Sequence, residues 1–303
     1  MNAFLFAGQG SQYVGMGKAL LEANPEFSYL YDTASEVLGK DMKDICFNSE
    51  LEELSKTVNS QPAIMLTSLL CFEVAKKNGI TFDGVAGHSL GEYASMVTSG
   101  MLSLEDGFKV IKARAEAMDK AKGGLMYAIL KASVEDITKV CQDTDGYVVP
   151  VNYNSPVQTV IAGENDAVLK AVDTLTSMKA RCVKLNVSSA FHSDIMKPCA
   201  EEFYNSIKDV EFKNPTIKFY SNVLGKELTD FSDMPSLLKQ HMISAVHFTD
   251  ELNCMANDGF DTFIELGPNK VLTGLVKKTL KGATALNIED LATLESTCQA
   301  LAK

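Results

Sequence analysis

Hydrophobic runs and glycine stops divide the chain into a strand-and-helix alternation with one change of rhythm. Residues 3–7 form a short apolar run, a strand that ends in Gly8-Gln9-Gly10-Ser11-Gln12. Helical patterns follow near 14–22 and 26–38, the second stopped by Gly39. A third begins after Ser60-Gln61-Pro62, with the proline placed near its first turn, and runs to about Lys77. Val85-Ala86 is a strand that leads into Gly87-His88-Ser89-Leu90-Gly91 and a helix ending at Gly100. Ser103 with Asp106 three residues on is a capping pattern for a helix to about Lys122. Gly123-Gly124 marks a seam. Beyond it strands are predicted at 125–130, 147–151, 157–162 and 181–187, with helices after Ser133 and over 165–178. That β-α-β-β-α-β order is the ferredoxin-like arrangement. The pattern then returns to a helix at 194–208, a strand at 216–220, a helix at 248–257, a strand at 260–266 and helices to the end. The fold class is α/β, with residues 1–123 and 189–303 forming the large subdomain and 124–188 an inserted small one.

The chain has 303 residues, 46% of them hydrophobic and 22% charged, the profile of a globular protein with a sizeable core. The formal net charge of −11 argues against nucleic acid or an anionic membrane as partner. The first ten residues lack the basic start of a signal peptide, and no apolar run approaches a bilayer span. Seven cysteines without C-x-x-C spacing read as buried reduced thiols of a cytoplasmic protein. The four histidines lack metal-ligand spacing, so no metal site is expected.

Three features carry chemistry. Gly87-x-Ser89-x-Gly91 lies between strand and helix, the setting that holds a serine nucleophile on a tight turn. The alternative is a capping serine, and the strand–turn–helix context favours the nucleophile. The amide of Leu90 would then face an oxyanion from a helix N-terminus. A serine needs a base. His192, in a polar loop before a helix, leads on position, while His88 reads as structural and His241 and His247 lie in or beside later helices. No carboxylate stands in a recognisable motif as a third member. Arg114 lies within an apolar stripe, with Val110, Ile111, Ala117 and Met118 at i−4, i−3, i+3 and i+4. One of only two arginines among 28 basic residues, it is either a snorkelling edge residue or a fixed fork for a ligand carboxylate. The second reading is favoured.

These residues fall into a familiar series: Phe6 to Gln12, Gln61-Pro62-Ala63, Gly87 to Tyr93, Arg114 with Met118, Asn152-x-Asn154-Ser155-Pro156, Phe191-His192-Ser193 and Glu265-Leu266-Gly267-Pro268. Over essentially its whole length the chain resembles the bacterial malonyl-CoA:acyl carrier protein transacylases. The resemblance implies an α/β-hydrolase-like large subdomain beside the ferredoxin-like small one. It implies ping-pong malonyl transfer through Ser89 with His192 as base, in fatty acid biosynthesis, with polyketide carrier loading as the alternative. An esterase or a non-catalytic carrier-binding protein is disfavoured by the Ser89, His192 and Arg114 set. The resemblance further implies an oxyanion hole from the amides of Gln9 and Leu90, a malonyl carboxylate on Arg114, and Gln61 and Phe191 at the substrate. A main-chain carbonyl at His247 would orient His192. Coenzyme A and phosphopantetheine arrive as substrates, so no cofactor is expected, and the enzyme is expected to be a monomer. Two departures stand out: Ala7 replaces a usual proline, and Ser244 to Phe248 departs from the usual stretch.

Acyl carrier proteins are acidic, so an acidic enzyme must offer them a local basic surface. Residues 179–218 hold seven basic side chains against five acidic ones, and 265–281 hold four lysines against Glu265. The carrier is expected to dock between these stretches, near His192.

Overall fold

The computed structural model describes residues 1–302. Among them ten strands form two sheets: β1 (Asn2–Phe6), β2 (Gly84–Gly87), β3 (Leu125–Leu130), β4 (Val148–Ser155), β5 (Gln158–Gly163), β6 (Arg181–Lys184), β7 (Lys218–Ser221), β8 (Lys226–Glu227), β9 (Thr262–Leu266) and β10 (Thr284–Ile288). The larger sheet runs β10-β9-β1-β2-β7-β8, parallel except for β8, which turns back on β7. β1 sits at its centre, paired with β9 on one side and β2 on the other. Its alternation is apolar on both faces: Phe4 and Phe6 enter one core cluster, Ala3 and Leu5 the other. That is the signature of a parallel strand covered by helices on both sides.

The smaller sheet has the order β4-β5-β3-β6 and is antiparallel throughout. One face of β3 packs Ile129 with Ile137, Val168 and Leu175 of the helices Val134–Asp143 and Asn165–Ser177. The other face turns Met126 and Ala128 toward the large subdomain. The period-2 alternation of the strand therefore decides which face closes over the site. At the seam, Gly123 and Ser189 form a bridge, and the Ser189 hydroxyl donates to the Gly123 carbonyl at 2.9 Å. A second stitch joins β4 to the large subdomain. Val246 N–H donates to Val151 at 2.8 Å, and Tyr153 N–H to Val246 at 2.9 Å.

Several boundaries move. The helix predicted to open beside Pro62 begins at Thr57, which puts the proline inside Thr57–Lys77. Nearly every side of this helix is buried, and packing outweighs the one main-chain bond that proline removes. β4 continues through Asn154 and Ser155, so the hairpin turn is tighter than Asn154-Ser155-Pro156 suggests. β6 ends at Lys184, and the stretch up to Val187 leaves the sheet to line the cleft. Four of the seven cysteines are only partly buried. Among the described residues no helix is long and apolar enough to cross a membrane.

Candidate active site

β2 delivers the chain into a sharp turn at His88 and Ser89 before the helix Gly91–Thr98. Ser89 adopts φ +53°, a left-handed conformation uncommon outside glycine. The flanking glycines are required by space. A Cβ on Gly87 would lie 2.1 Å from the carbonyl carbon of Gly91, and one on Gly91 2.1 Å from the carbonyl oxygen of Phe6. The turn thus presses against β1 and its own helix, and only hydrogen side chains fit.

The turn lifts Ser89 toward His192, whose Nε2 lies 2.8 Å from Ser89 Oγ. On the far side of the ring, Nδ1 lies 2.9 Å from the main-chain carbonyl of His241. A carbonyl can only accept, so Nδ1 carries the proton and Nε2 is free to take one from the serine. His192 is buried, and burial together with the Arg114 charge pushes its pKa down to about 3. The neutral, proton-accepting imidazole is therefore the resting form.

The orienting carbonyl is a correction. His247, expected in that role, caps the helix Phe248–Asn257, and its carbonyl accepts the Glu251 amide at 3.0 Å. The first turn of a helix consumes that acceptor. His241 stands in the last turn of Met234–Ile243, where carbonyls have no helical partner and one is available. The His247 side chain instead stacks on Tyr153, with ring centroids 5.2 Å apart, and stands 3.5 Å from Asp250.

Arg114 is 1% exposed, deep in the helix Leu104–Asp119. Its Nη1 donates to Gln61 Oε1 at 2.7 Å and its Nη2 to Ser89 Oγ at 3.0 Å, while the guanidinium lies 5.1 Å from the Tyr93 ring centre. Among the described residues it forms no ion pair with a carboxylate. Gln61 is itself buried and leans on Met118 Sδ at 3.2 Å. The apolar stripe and the Gln61 motif, far apart in sequence, converge on one fork beside the serine.

A cleft of about 450 Å³ opens above this floor, between the free face of the small sheet and the Gly8–Gln12 loop. Gln9, Phe191 and His192 line it, facing Met126, Ala128 and Val160. Leu90 is buried at the start of its helix, and among the described residues neither its amide nor that of Gln9 donates to a protein acceptor. His88 points from the turn to the small subdomain, 2.7 Å from Asn154 Oδ1, and burial lowers its pKa. Behind the turn lies a buried group that the sequence did not bring together: Asn222, Glu92, Glu251 and the His241 ring. Asn222 follows directly on β7, beside β2, at the carboxyl edge where parallel sheets place functional groups. That position was its available signal.

A serine–histidine pair on a strand–turn–helix elbow, with two free amides and an arginine fork at one cleft, defines a serine acyltransferase. The acyl transferase domain family matches residues 3–297. The chain is 38% identical to the malonyl CoA-acyl carrier protein transacylase of Bacillus subtilis (strain 168) over 306 aligned positions, covering 99% of this chain and 96% of that one. With the Haemophilus influenzae protein of the same name it shares 36%, covering 97% of each. The solved malonyl CoA-acyl carrier protein transacylase from Clostridium perfringens superposes with a TM-score of 0.96 at 37% identity, over 99% of this chain and 97% of that one. The chain belongs to the malonyl-CoA:acyl carrier protein transacylases of the acyl transferase domain family.

Proposed function

We propose that the protein transfers malonyl from coenzyme A to the phosphopantetheine thiol of an acyl carrier protein, in fatty acid biosynthesis. The observation that carries this is Arg114. A buried guanidinium without a carboxylate partner, bonded to the nucleophile itself, is a seat for an acid group close to the attacked carbonyl. Malonyl places its carboxylate one methylene from the thioester carbon, which matches that adjacency.

The cycle then has two mirror-image halves. Ser89 Oγ bonds to the thioester carbon as its proton passes to His192 Nε2. The Gln9 and Leu90 amides hold the negative oxygen of the tetrahedral intermediate. The carbon–sulfur bond breaks, and the coenzyme A sulfur leaves with the His192 proton. In the second half the carrier's thiol gives its proton to His192, its sulfur attacks the malonyl-serine, and Ser89 Oγ leaves with that proton. Coenzyme A and phosphopantetheine are substrates throughout. Residues 124–188 form the small subdomain that roofs the reaction, with Phe191 and Gln61 at the acyl group. Unpaired cysteines support a reducing, cytoplasmic setting, and we assign a monomer as the working unit.

The carrier is proposed to dock where lysines flank the cleft. Val271, Leu272 and Leu275 of the helix Val271–Thr279 line it, and the same helix exposes Lys277 and Lys278. Edge strand β6 exposes Arg181 and Lys184. A polyketide carrier is the second reading, favoured by a relative named for polyketide biosynthesis at 34% identity and by a solved complex of a type II polyketide carrier with its malonyl-transacylase at 32%.

Ser89→Ala is expected to abolish the malonyl-enzyme adduct seen by intact-protein mass spectrometry, and an adduct in that variant removes the nucleophile assignment. Arg114→Ala should cost far more with malonyl-CoA than with acetyl-CoA. Equal losses end its carboxylate role. Rates with a fatty-acid carrier against a polyketide carrier decide between the two destinations.

A further inference from the structure

Asn222 is fully buried, and both ends of its side-chain amide are occupied. Oδ1 accepts the Ser89 main-chain N–H at 2.8 Å and lies 3.1 Å from His241 Nε2. Nδ2 donates to the Gly87 carbonyl at 2.7 Å and to the two Glu251 carboxyl oxygens at 3.1 and 3.0 Å. One amide therefore grips the turn on both sides of its apex, the carbonyl before His88 and the N–H of the nucleophile. The Ser89 N–H can only donate and the Gly87 carbonyl can only accept, so these two groups fix which way the amide faces.

The same amide reaches the base by a second thread. His241 Nε2 faces Asn222 Oδ1, and the Glu92 carboxyl lies 3.2 Å from the same nitrogen. The main chain of that same His241 supplies the carbonyl that orients His192. Ser89 and His192 both sit at positive φ, +53° and +61°, a conformation that side-chain-bearing residues keep only where their surroundings impose it. Both residues are linked to Asn222, Ser89 through its main-chain N–H and the His192 ring through His241.

We propose that Asn222 is a positioning residue that sets the register of Ser89 against His192. It does so without lining the substrate cleft. This rests on Ser89 being the nucleophile.

Replacement by aspartate keeps shape and both acceptor contacts but removes both donors. The titratable groups coupled to its partners Glu251 and His241 are Glu92, Asp250 and Cys254 on one side and Arg114, His192, His88 and Tyr93 on the other. Protonation of the introduced carboxyl would recover one donor, so the ratio of the variant's rate to the wild type's should rise on acidification, the ratio dividing out the titration of Glu92 that both share. The experiment compares wild type, Asn222→Asp and Asn222→Ala in single-turnover formation of the malonyl-enzyme, followed by quenched mass spectrometry across pH. KM for malonyl-CoA and the folded fraction by circular dichroism are measured in parallel. Above neutral pH, acylation per folded enzyme is expected to fall on the order of 10²-fold, as displacement of a reacting group by about an ångström does. KM should stay within about twofold, because the residue does not touch the substrate. Aspartate rates within about twofold of wild type at every pH overturn the proposal, as does a loss that follows the folded fraction alone. Should the alanine variant not fold, the isosteric aspartate carries the test. Ser89→Ala separates the two claims: an adduct there refutes the nucleophile reading whatever Asn222 does.

Discussion

The two acids behind the elbow make stability depend on pH in a direction opposite to that of exposed carboxylates. Glu92 is 2% exposed, and burial raises its pKa from 4.5 to about 8. Burial also holds the Glu251 carboxyl well above the ordinary range, with Glu92 adding to the effect. Between 4.5 and about 8 the folded protein keeps a proton on Glu92 that the unfolded chain has released. Stability must then fall as pH rises through that window, by about 1.4 kcal/mol per pH unit for one group. From about pH 5.5 to about pH 7 the Glu92 share is roughly 2 kcal/mol. Histidines work in the other direction there. His192 stays neutral when folded while an unfolded imidazole takes a proton below 6.5, so its share of stability grows as pH rises from about 3 to 6.5. Comparison with Glu92→Gln removes this and every other common contribution. The assay is urea unfolding of both proteins at the two pH values. The variant's stability relative to wild type should improve by about 2 kcal/mol from the lower pH to the higher. An unchanged difference would refute the claim that Glu92 is neutral in the folded protein.

Three further outcomes follow from the geometry. The pH profile of kcat/KM for malonyl-enzyme formation should be flat from about pH 7 down to about pH 5, because the base titrates near 3. An unperturbed histidine would lose roughly 25-fold there, and an acid limb near 6.5 contradicts the assignment. Gly91→Ala would bring a methyl group to 2.1 Å from the Phe6 carbonyl oxygen, so thermal unfolding should show a loss of more than about 3 kcal/mol; a near-normal melting temperature would mean that the turn can open. Lys277→Glu with Lys278→Glu should raise KM for the carrier at low salt, with the effect fading as salt screens it, and unchanged carrier-dependent rates would remove that half of the docking surface.

What could be read from the chain was local. The elbow announces itself within five residues, since spacing of glycines around Ser89 reports a steric requirement that any sequence making this turn must meet. Arg114 was legible because a helix repeats every few residues and the stripe around it is apolar. The small sheet followed from a strand rhythm that needs no knowledge of the rest. The orienting carbonyl of His241 was illegible for a physical reason: every residue has a carbonyl, and only the packing of a helix end against the His192 loop selects one. Asn222 was missed likewise, because its side chain joins residues 87, 89, 241 and 251, which meet only after the large sheet has assembled. Pro62 misled because a proline marks a helix start only when packing does not overrule it.

If Arg114 binds the substrate carboxylate as proposed, the absence of a carboxylate beside His192 among the described residues has a reason. A guanidinium that is to recognise a substrate's acid group must not find one in the protein first. An ionised aspartate behind His192 would lie close enough in this buried site to serve as an internal counter-ion, and the malonyl carboxylate would then have to compete with it. A main-chain carbonyl orients the imidazole equally well and carries no net charge. Of the two acids that do approach the site, Glu92 is held protonated at neutral pH by burial, and burial pushes the Glu251 carboxyl in the same direction. In a chain of net charge −11, Arg114 is left, among the described residues, without a carboxylate partner. On that reading the first anion to reach the fork arrives with the substrate, where it would offset the Arg114 charge, which after burial is the second cause of the low basicity of His192. An acyl group without a carboxylate meets the same serine with the arginine still bonded to it and the base still weak. On the proposed roles of Arg114 and His192, selectivity for malonyl would in this way be exerted on the chemical step as well as on binding.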